Sequence, residues 1–178
     1  AGTSQDRADE ARGKSPAWST ILVWDYWQQH DLLFLRHAER KRIAWNDLKG
    51  LAATTLQAWG VRRTFVENAH FGQPLRDELM AKGLHCELIG PMLPGMAEGY
   101  RGAKLERAVC SGLVTRVKEG RLLLPSIPVP WLADYIAELT DWTGHPDEVC
   151  DQIDASSYAA YHCKKSALSW GGTSLAKR

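Results

Sequence analysis

An α/β fold, with a mixed sheet flanked by helices, is the class this chain predicts, and three observations predict it. The stretch "STILVWDYWQQHDLLFLRHAER" holds two runs of β-branched and aromatic residues around a short polar break at Gln28 to His30, the pattern of an antiparallel hairpin. From Arg62 onward, short apolar runs alternate with segments of helical spacing, and strand, helix, strand, helix, strand implies parallel neighbours joined by crossovers. A length of 178 residues gives room for one sizeable core and too little for two ordinary domains.

Each element has its own reason. The hairpin strands run from about Ser19 to Trp27 and Asp31 to Arg40. "WNDLKGLAATTLQAWG" places Leu48, Leu51, Ala52, Thr55 and Trp59 at helical spacing, with Gly60 where a C-cap glycine stands. "RRTFVE" is a short strand, "GQPLRDELMAKG" a helix with Pro74 in its first turn and Gly83 after its end, and "HCELIG" another strand. Pro91 to Gly102, rich in Gly and Pro, reads as an exposed, mobile loop. "AKLERAV" resumes a helix, and "GRLLLPSIPVP" is a strand closed off by prolines. Trp131 to Thr140 and Cys150 to Cys163 are the last helices, and "LSWGGTSLAKR" is a frayed tail.

Composition narrows the function classes. Hydrophobic residues are 44% and charged residues 24%, so a folded globule is expected rather than a disordered segment. A net charge of +1 gives no global pull toward a polyanion, and any phosphate site must come from local clustering. Cys86, Cys110, Cys150 and Cys163 form no CxxC pair, which argues against structural zinc and for reduced thiols in a cytosolic setting. No apolar run reaches the length of a membrane span, and Ala1 to Lys14 is not signal-like, so a soluble, unexported protein is expected.

Three acidic positions stand out by location. Asp6 ends "AGTSQD", which can be the stub of a first strand; Glu67 ends "TFVE", where burial is expected; Asp151 and Asp154 open the final helix. Residues three apart share one side of a helix, so the two aspartates can face the same small volume. Taken singly, each has an ordinary explanation: an Asp in a first turn is usually a cap, and a strand-end carboxylate is usually solvated or paired. Taken together, carboxylates from separate strands and a helix meeting at one sheet edge are what two Mg2+ or Mn2+ ions need, since hard cations take oxygen ligands and a metal pair can activate water for phosphodiester cleavage.

Four blocks in order resemble one family. "SQDRADEARGKSPAWSTILVW", with Asp6 and Ala8 in a D-x-A pattern, resembles the opening of the C-terminal nuclease domain of bacteriophage large terminase subunits, within the ribonuclease H-like superfamily. "FVENAHFGQPLRDEL" is similar to that family's second acidic segment, at Glu67. "KLERAVCSGLVTRVKEGRLLLP" resembles its basic block through Lys104, Arg107, Ala108, Gly120 and Pro125, and "WTGHPDEVCDQIDASSYA" its closing acidic signature. Two positions depart: Cys150 stands where the first of two adjacent aspartates is usual, which leaves Asp151 as the ligand and Asp154 as the reserve, and Ala17 stands where an aspartate is common before Trp18.

The resemblance implies a ribonuclease H-like nuclease domain over 1–165 and a flexible C-terminal tail over 166–178. It implies a metal-dependent endonuclease, with Asp6, Glu67 and Asp151 as catalytic residues, that cuts concatemeric double-stranded viral DNA during genome packaging. Asp154 joins these three as a metal ligand around two Mg2+ or Mn2+ ions. The implied partners are double-stranded DNA, a terminase ATPase domain, the small terminase subunit and the portal protein, in the cytoplasm of the infected bacterial host. The chain lacks G-x-x-x-x-G-K-[ST], so the motor itself is not expected within it. Arg101, Lys104 and Arg107 form a basic cluster suited to phosphates; a solvated helix face is the plain alternative. Arg40, Lys41 and Arg42 read as an ordinary strand exit, and Trp24, Trp59 and Trp131 as core. His70 and His145 stay outside the catalytic set, and Cys150 is a small semi-buried thiol rather than a nucleophile. Two rival readings share the fold: a DNA- or portal-binding module with weak cleavage, and a junction resolvase or transposase-type nuclease.

Overall fold

The computed structural model describes residues 18–69, 71–97, 104–145 and 148–169, with side chains described as far as 163. The hairpin is present: β1 (Ser19–Trp27) and β2 (Leu32–Lys41) pair antiparallel from Ser19 opposite Lys41 to Trp27 opposite Leu32. Val23 faces His37 while Trp24 faces Leu35, so Arg36 is an extra residue that bulges β2. A 3-10 turn, Gln28–His30, closes the hairpin, and Asp31 turns the chain with a left-handed φ of 51°.

Helix α1 (Trp45–Ala58) follows, then β3 (Thr64–Glu67), α2 (Gly72–Ala81) and β4 (Cys86–Ile89). β3 and β4 run parallel, Thr64 opposite Cys86 and Glu67 opposite Ile89, as the strand–helix–strand spacing requires. Gly60 at φ 59° ends the region after α1 in the conformation expected of it.

The later strand goes elsewhere. β5 is only Leu122–Leu123, and it pairs parallel with β2, Leu33 opposite Leu122, not with β4. The described strands therefore fall into two hydrogen-bonded groups, β1-β2-β5 and β3-β4, antiparallel and parallel pairing together making the mixed α/β architecture. Pro125, Pro128 and Pro130 lack the N–H that a longer ladder would use. Before β5 the chain forms two short helices where one was expected, α3 (Lys104–Cys110) and α4 (Leu113–Lys118), because Gly112 at φ 82° breaks the run between them. α5 (Leu132–Asp141) and α6 (Asp151–Ser169) complete the fold, and α6 continues into the stretch expected to be tail.

The core is built from element faces. Leu33 of β2 packs with Ala108, Leu113, Cys150, Ile153 and Ala160, joining the hairpin to α3, α4 and α6. Ala52, Leu56, Val66, Leu79 and Cys86 join α1 and α2 to the β3-β4 pair. Burying one such leucine contributes about 1.5–3 kcal/mol, so each face outweighs the ordering of its few side chains. The start of the Gly- and Pro-rich loop is not exposed as expected: Leu93 and Met96 are buried against Ile89 and Tyr158. Trp24 and Trp131 pack against the core, whereas Trp59 is 39% exposed and stacks on His37 instead.

Candidate carboxylate site at the end of β3

Glu67 is the last residue of β3, and its backbone is fixed by the strand and by the turn that follows. Asn68 N donates to Ile89 O at 2.7 Å, Ala69 N to Glu67 O at 2.9 Å, and Gly72 N to Ala69 O at 2.7 Å. The turn brings Gly72, first residue of α2, against the Glu67 peptide so closely that a Cβ there would lie 2.9 Å from the Glu67 carbonyl carbon and overlap its oxygen. Only glycine fits. The Glu67 side chain is exposed rather than buried, contrary to what its strand-end position suggests, because β3 stops at the surface.

Opposite it stands α6. Tyr158 Oη donates to Glu67 Oε1 at 3.0 Å. Burial first, and then the Glu67 charge, push the Tyr158 phenol well above its usual range, so it stays a donor at any working pH. One turn earlier on the same side, the buried Asp154 accepts a hydrogen bond from Arg107 Nη1. Burial raises the Asp154 pKa, Arg107 and Lys104 pull it down, and Glu67 pushes it up again, leaving it raised. Arg107 also donates from Nε to Pro91 O at 2.9 Å and lies 4.8 Å from the Tyr158 ring centre.

A second pair sits beside the first. Lys104 Nζ lies 3.4 Å from Asp151 Oδ1, both about one third exposed. Burial draws the Lys104 pKa down, but Cys150, Asp151 and Asp154 more than offset this and leave it raised. Cys150 is buried, and burial raises its pKa against the pull of Lys104, so it is a thiol and not a nucleophile. Glu138 of α5 holds the first turn of α6: its Oε1 accepts from Gln152 N at 2.6 Å and Ile153 N at 3.2 Å, and its Oε2 accepts from Gln152 Nε2 at 2.9 Å. That carboxylate satisfies N–H groups that helix starts otherwise leave open.

The fold thus brings Glu67, Asp151, Asp154 and Lys104 to the junction of β3, α3 and α6. One expectation needs correcting: Arg107 is not a surface phosphate contact, because it is 1% exposed and bound to Asp154, Pro91 and the Tyr158 ring. Asp154 is buried and held by Arg107, whereas Asp151 is about one third exposed and held by Lys104. Asp6 and Arg101 lie outside the described residues, as does His70. Among the described residues no group of three or more His, Cys, Asp or Glu side chains is placed to hold a metal ion, and each of the three carboxylates already accepts from a protein donor. Their oxygen chemistry suits Mg2+ or Mn2+, but they do not form an ion cage without a further acid.

Sequence reasoning missed Tyr158 and Glu138. Tyr158 was legible in outline, four residues after Asp154 and so on its face, whereas nothing in the sequence ties Glu138 to the start of α6. Comparison with protein families, with curated proteins and with solved structures finds no match.

Proposed function

We propose that the chain is a metal-dependent endonuclease domain acting on double-stranded DNA, of the kind its resemblance to large terminase nuclease domains implies. The observation that supports this reading is how the end of β3 faces the start of α6: Tyr158 donates to Glu67, Arg107 lies over the Tyr158 ring and holds Asp154, and Lys104 holds Asp151. Burial is the main cause of the raised Asp154 pKa and the Glu67 charge adds to it, so keeping an acid at this place costs stability. Asp6 is the further carboxylate that the reading requires.

In hydrolysis a water attacks phosphorus, one P–O bond of the backbone breaks, and the departing oxygen takes up a proton. Bound Mg2+ or Mn2+ would lower the pKa of that water and offset charge on the phosphate. Glu67, exposed and aimed by Tyr158, orients the water and accepts its proton. Lys104, exposed on one side and held by Asp151, offers its ammonium to a phosphate oxygen. Arg107 acts one step removed, fixing Asp154 and the Tyr158 ring.

Plasmid DNA incubated with the protein in manganese should be nicked and linearised, and EDTA should stop the reaction. Asp154→Asn should abolish cutting, while Asp151→Asn should keep about 1–10% of it, since losing a group that only supports the ligands costs about 10- to 100-fold. No manganese-dependent cutting by the wild type would overturn the reading. A second reading, a DNA- or portal-binding module with weak cleavage, draws on the pairing of Asp154 with Arg107 and Asp151 with Lys104. A melting temperature unmoved by manganese would favour it.

A further inference from the structure

Four residues past Glu67, at the end of the turn that follows it, Phe71 belongs to an aromatic pair outside the buried core clusters. Trp45, first residue of α1, and Phe71, immediately before α2, stack with ring centres 5.0 Å apart and planes 28° from parallel. Neither ring belongs to any of the four hydrophobic clusters, and Phe71 is 37% exposed. Lys49 Nζ stands 5.8 Å from the Trp45 ring centre, so the pair carries a cation as well. Phe71 has little freedom to be elsewhere, because Gly72 behind it packs on the Glu67 carbonyl and Leu75 N donates to Phe71 O at 2.9 Å. The Phe71 backbone is therefore set by the same turn that fixes the Glu67 backbone, and Trp45 sets the direction of its ring. A staple between the starts of α1 and α2 explains the contact of the two rings, but not why the free area of Phe71 is left in water beside a group proposed to act on nucleic acid.

We infer that the Trp45–Phe71 pair is a stacking platform for an unpaired nucleobase, so that the strand at Glu67 is held with a base turned out of its helix. This rests on the nucleic-acid reading of the site and sharpens its substrate class from duplex DNA in general to DNA with an unstacked nucleotide beside the cut. Stacking needs only an aromatic face and tolerates any base, which suits a ring with no hydrogen-bonding partner of its own. Lys49, though within 3.9 Å of Glu78, lies where it can follow the backbone of such a strand.

The test is fluorescence anisotropy in EDTA with labelled oligonucleotides of one length: single-stranded, fully paired, and paired with a short internal unpaired patch. Phe71→Leu keeps an apolar side chain and removes the π-face; Phe71→Trp keeps the face; melting temperatures verify that both fold. Phe71→Leu should weaken binding of the single-stranded and patched oligonucleotides about five- to hundredfold, leave fully paired DNA within about twofold, and be rescued by Phe71→Trp. Equal losses on all three substrates, or no loss on any, would overturn the platform. Wild-type protein that cuts plasmid in manganese but shows no Phe71 effect leaves the nuclease standing and the platform refuted. Binding that depends on Phe71 without any cutting leaves the platform standing and refutes the nuclease, and wild type that neither binds nor cuts refutes both.

Discussion

Two polar clusters in this fold use almost the same parts and end in different states. At the hairpin turn, Asp31 accepts from Arg116 Nη2 at 2.6 Å, from Arg121 Nη1, and from Tyr26 Oη at 3.0 Å. At the end of β3, Asp154 accepts from Arg107, which lies over Tyr158, which donates to Glu67. Both hold an aspartate, a buried arginine and a tyrosine. In the first, Asp31 faces two guanidinium groups and shares Arg121 with Glu119, two acids against two arginines. In the second, three acids face one arginine and one lysine, and Asp154 is left with a raised pKa. Saturated charge makes a clamp that pins the hairpin to α4. Acids in excess of cations leave negative charge uncompensated, and the cost of keeping them is borne by the rest of the fold.

The comparison breaks most sharply at the clamp. Asp31→Ala leaves Arg116, 3% exposed at its side chain, as an uncompensated buried charge, and urea denaturation should show a loss of about 3–5 kcal/mol. Gly72→Ala comes next: the Glu67 carbonyl must move to admit a methyl group, costing about 1–3 kcal/mol and displacing the carboxylate, so nuclease activity should fall far more than stability does. Unchanged activity in Gly72→Ala would mean that Glu67 is not held where the turn places it.

Asp154 gives a smaller effect with a definite sign. Its folded pKa is raised, so between the unfolded value, about 4, and the folded value the native state binds more protons than the unfolded one. Its contribution to stability is therefore greatest in acid and is lost as pH rises through that window. The melting temperature of wild type minus that of Asp154→Asn should fall as pH climbs through this window, and a difference that grows instead would mean that Arg107 outweighs burial at Asp154. Smallest in stability is Glu67→Gln. The side chain is exposed and keeps an acceptor for Tyr158, so the melting temperature should change by no more than about 1 kcal/mol equivalent, while plasmid cutting should vanish. A large destabilisation by Glu67→Gln would make that cluster a second clamp.

Much of the fold was legible in the sequence because the information is local. The hairpin at Ser19–Trp27 and Leu32–Lys41, helix Trp45–Ala58 and the β3-α2-β4 unit follow from alternation, helical spacing and the glycines that end each run. Glu67 was legible as an acid at a strand's end, and Asp151 and Asp154 as two acids on one helical face. What those acids meet was not. The burial of Arg107, its pairing with Asp154, the Glu138 carboxylate at the start of α6, and the pairing of Leu122 with Leu33 join residues far apart in the chain. Periodicity along one segment determines which face of that segment is apolar and where it stops. Which charged groups share a volume, and which cation each acid keeps, depends on how separate faces dock, and the tertiary structure alone decided that by putting one arginine under Asp154 and one tyrosine against Glu67.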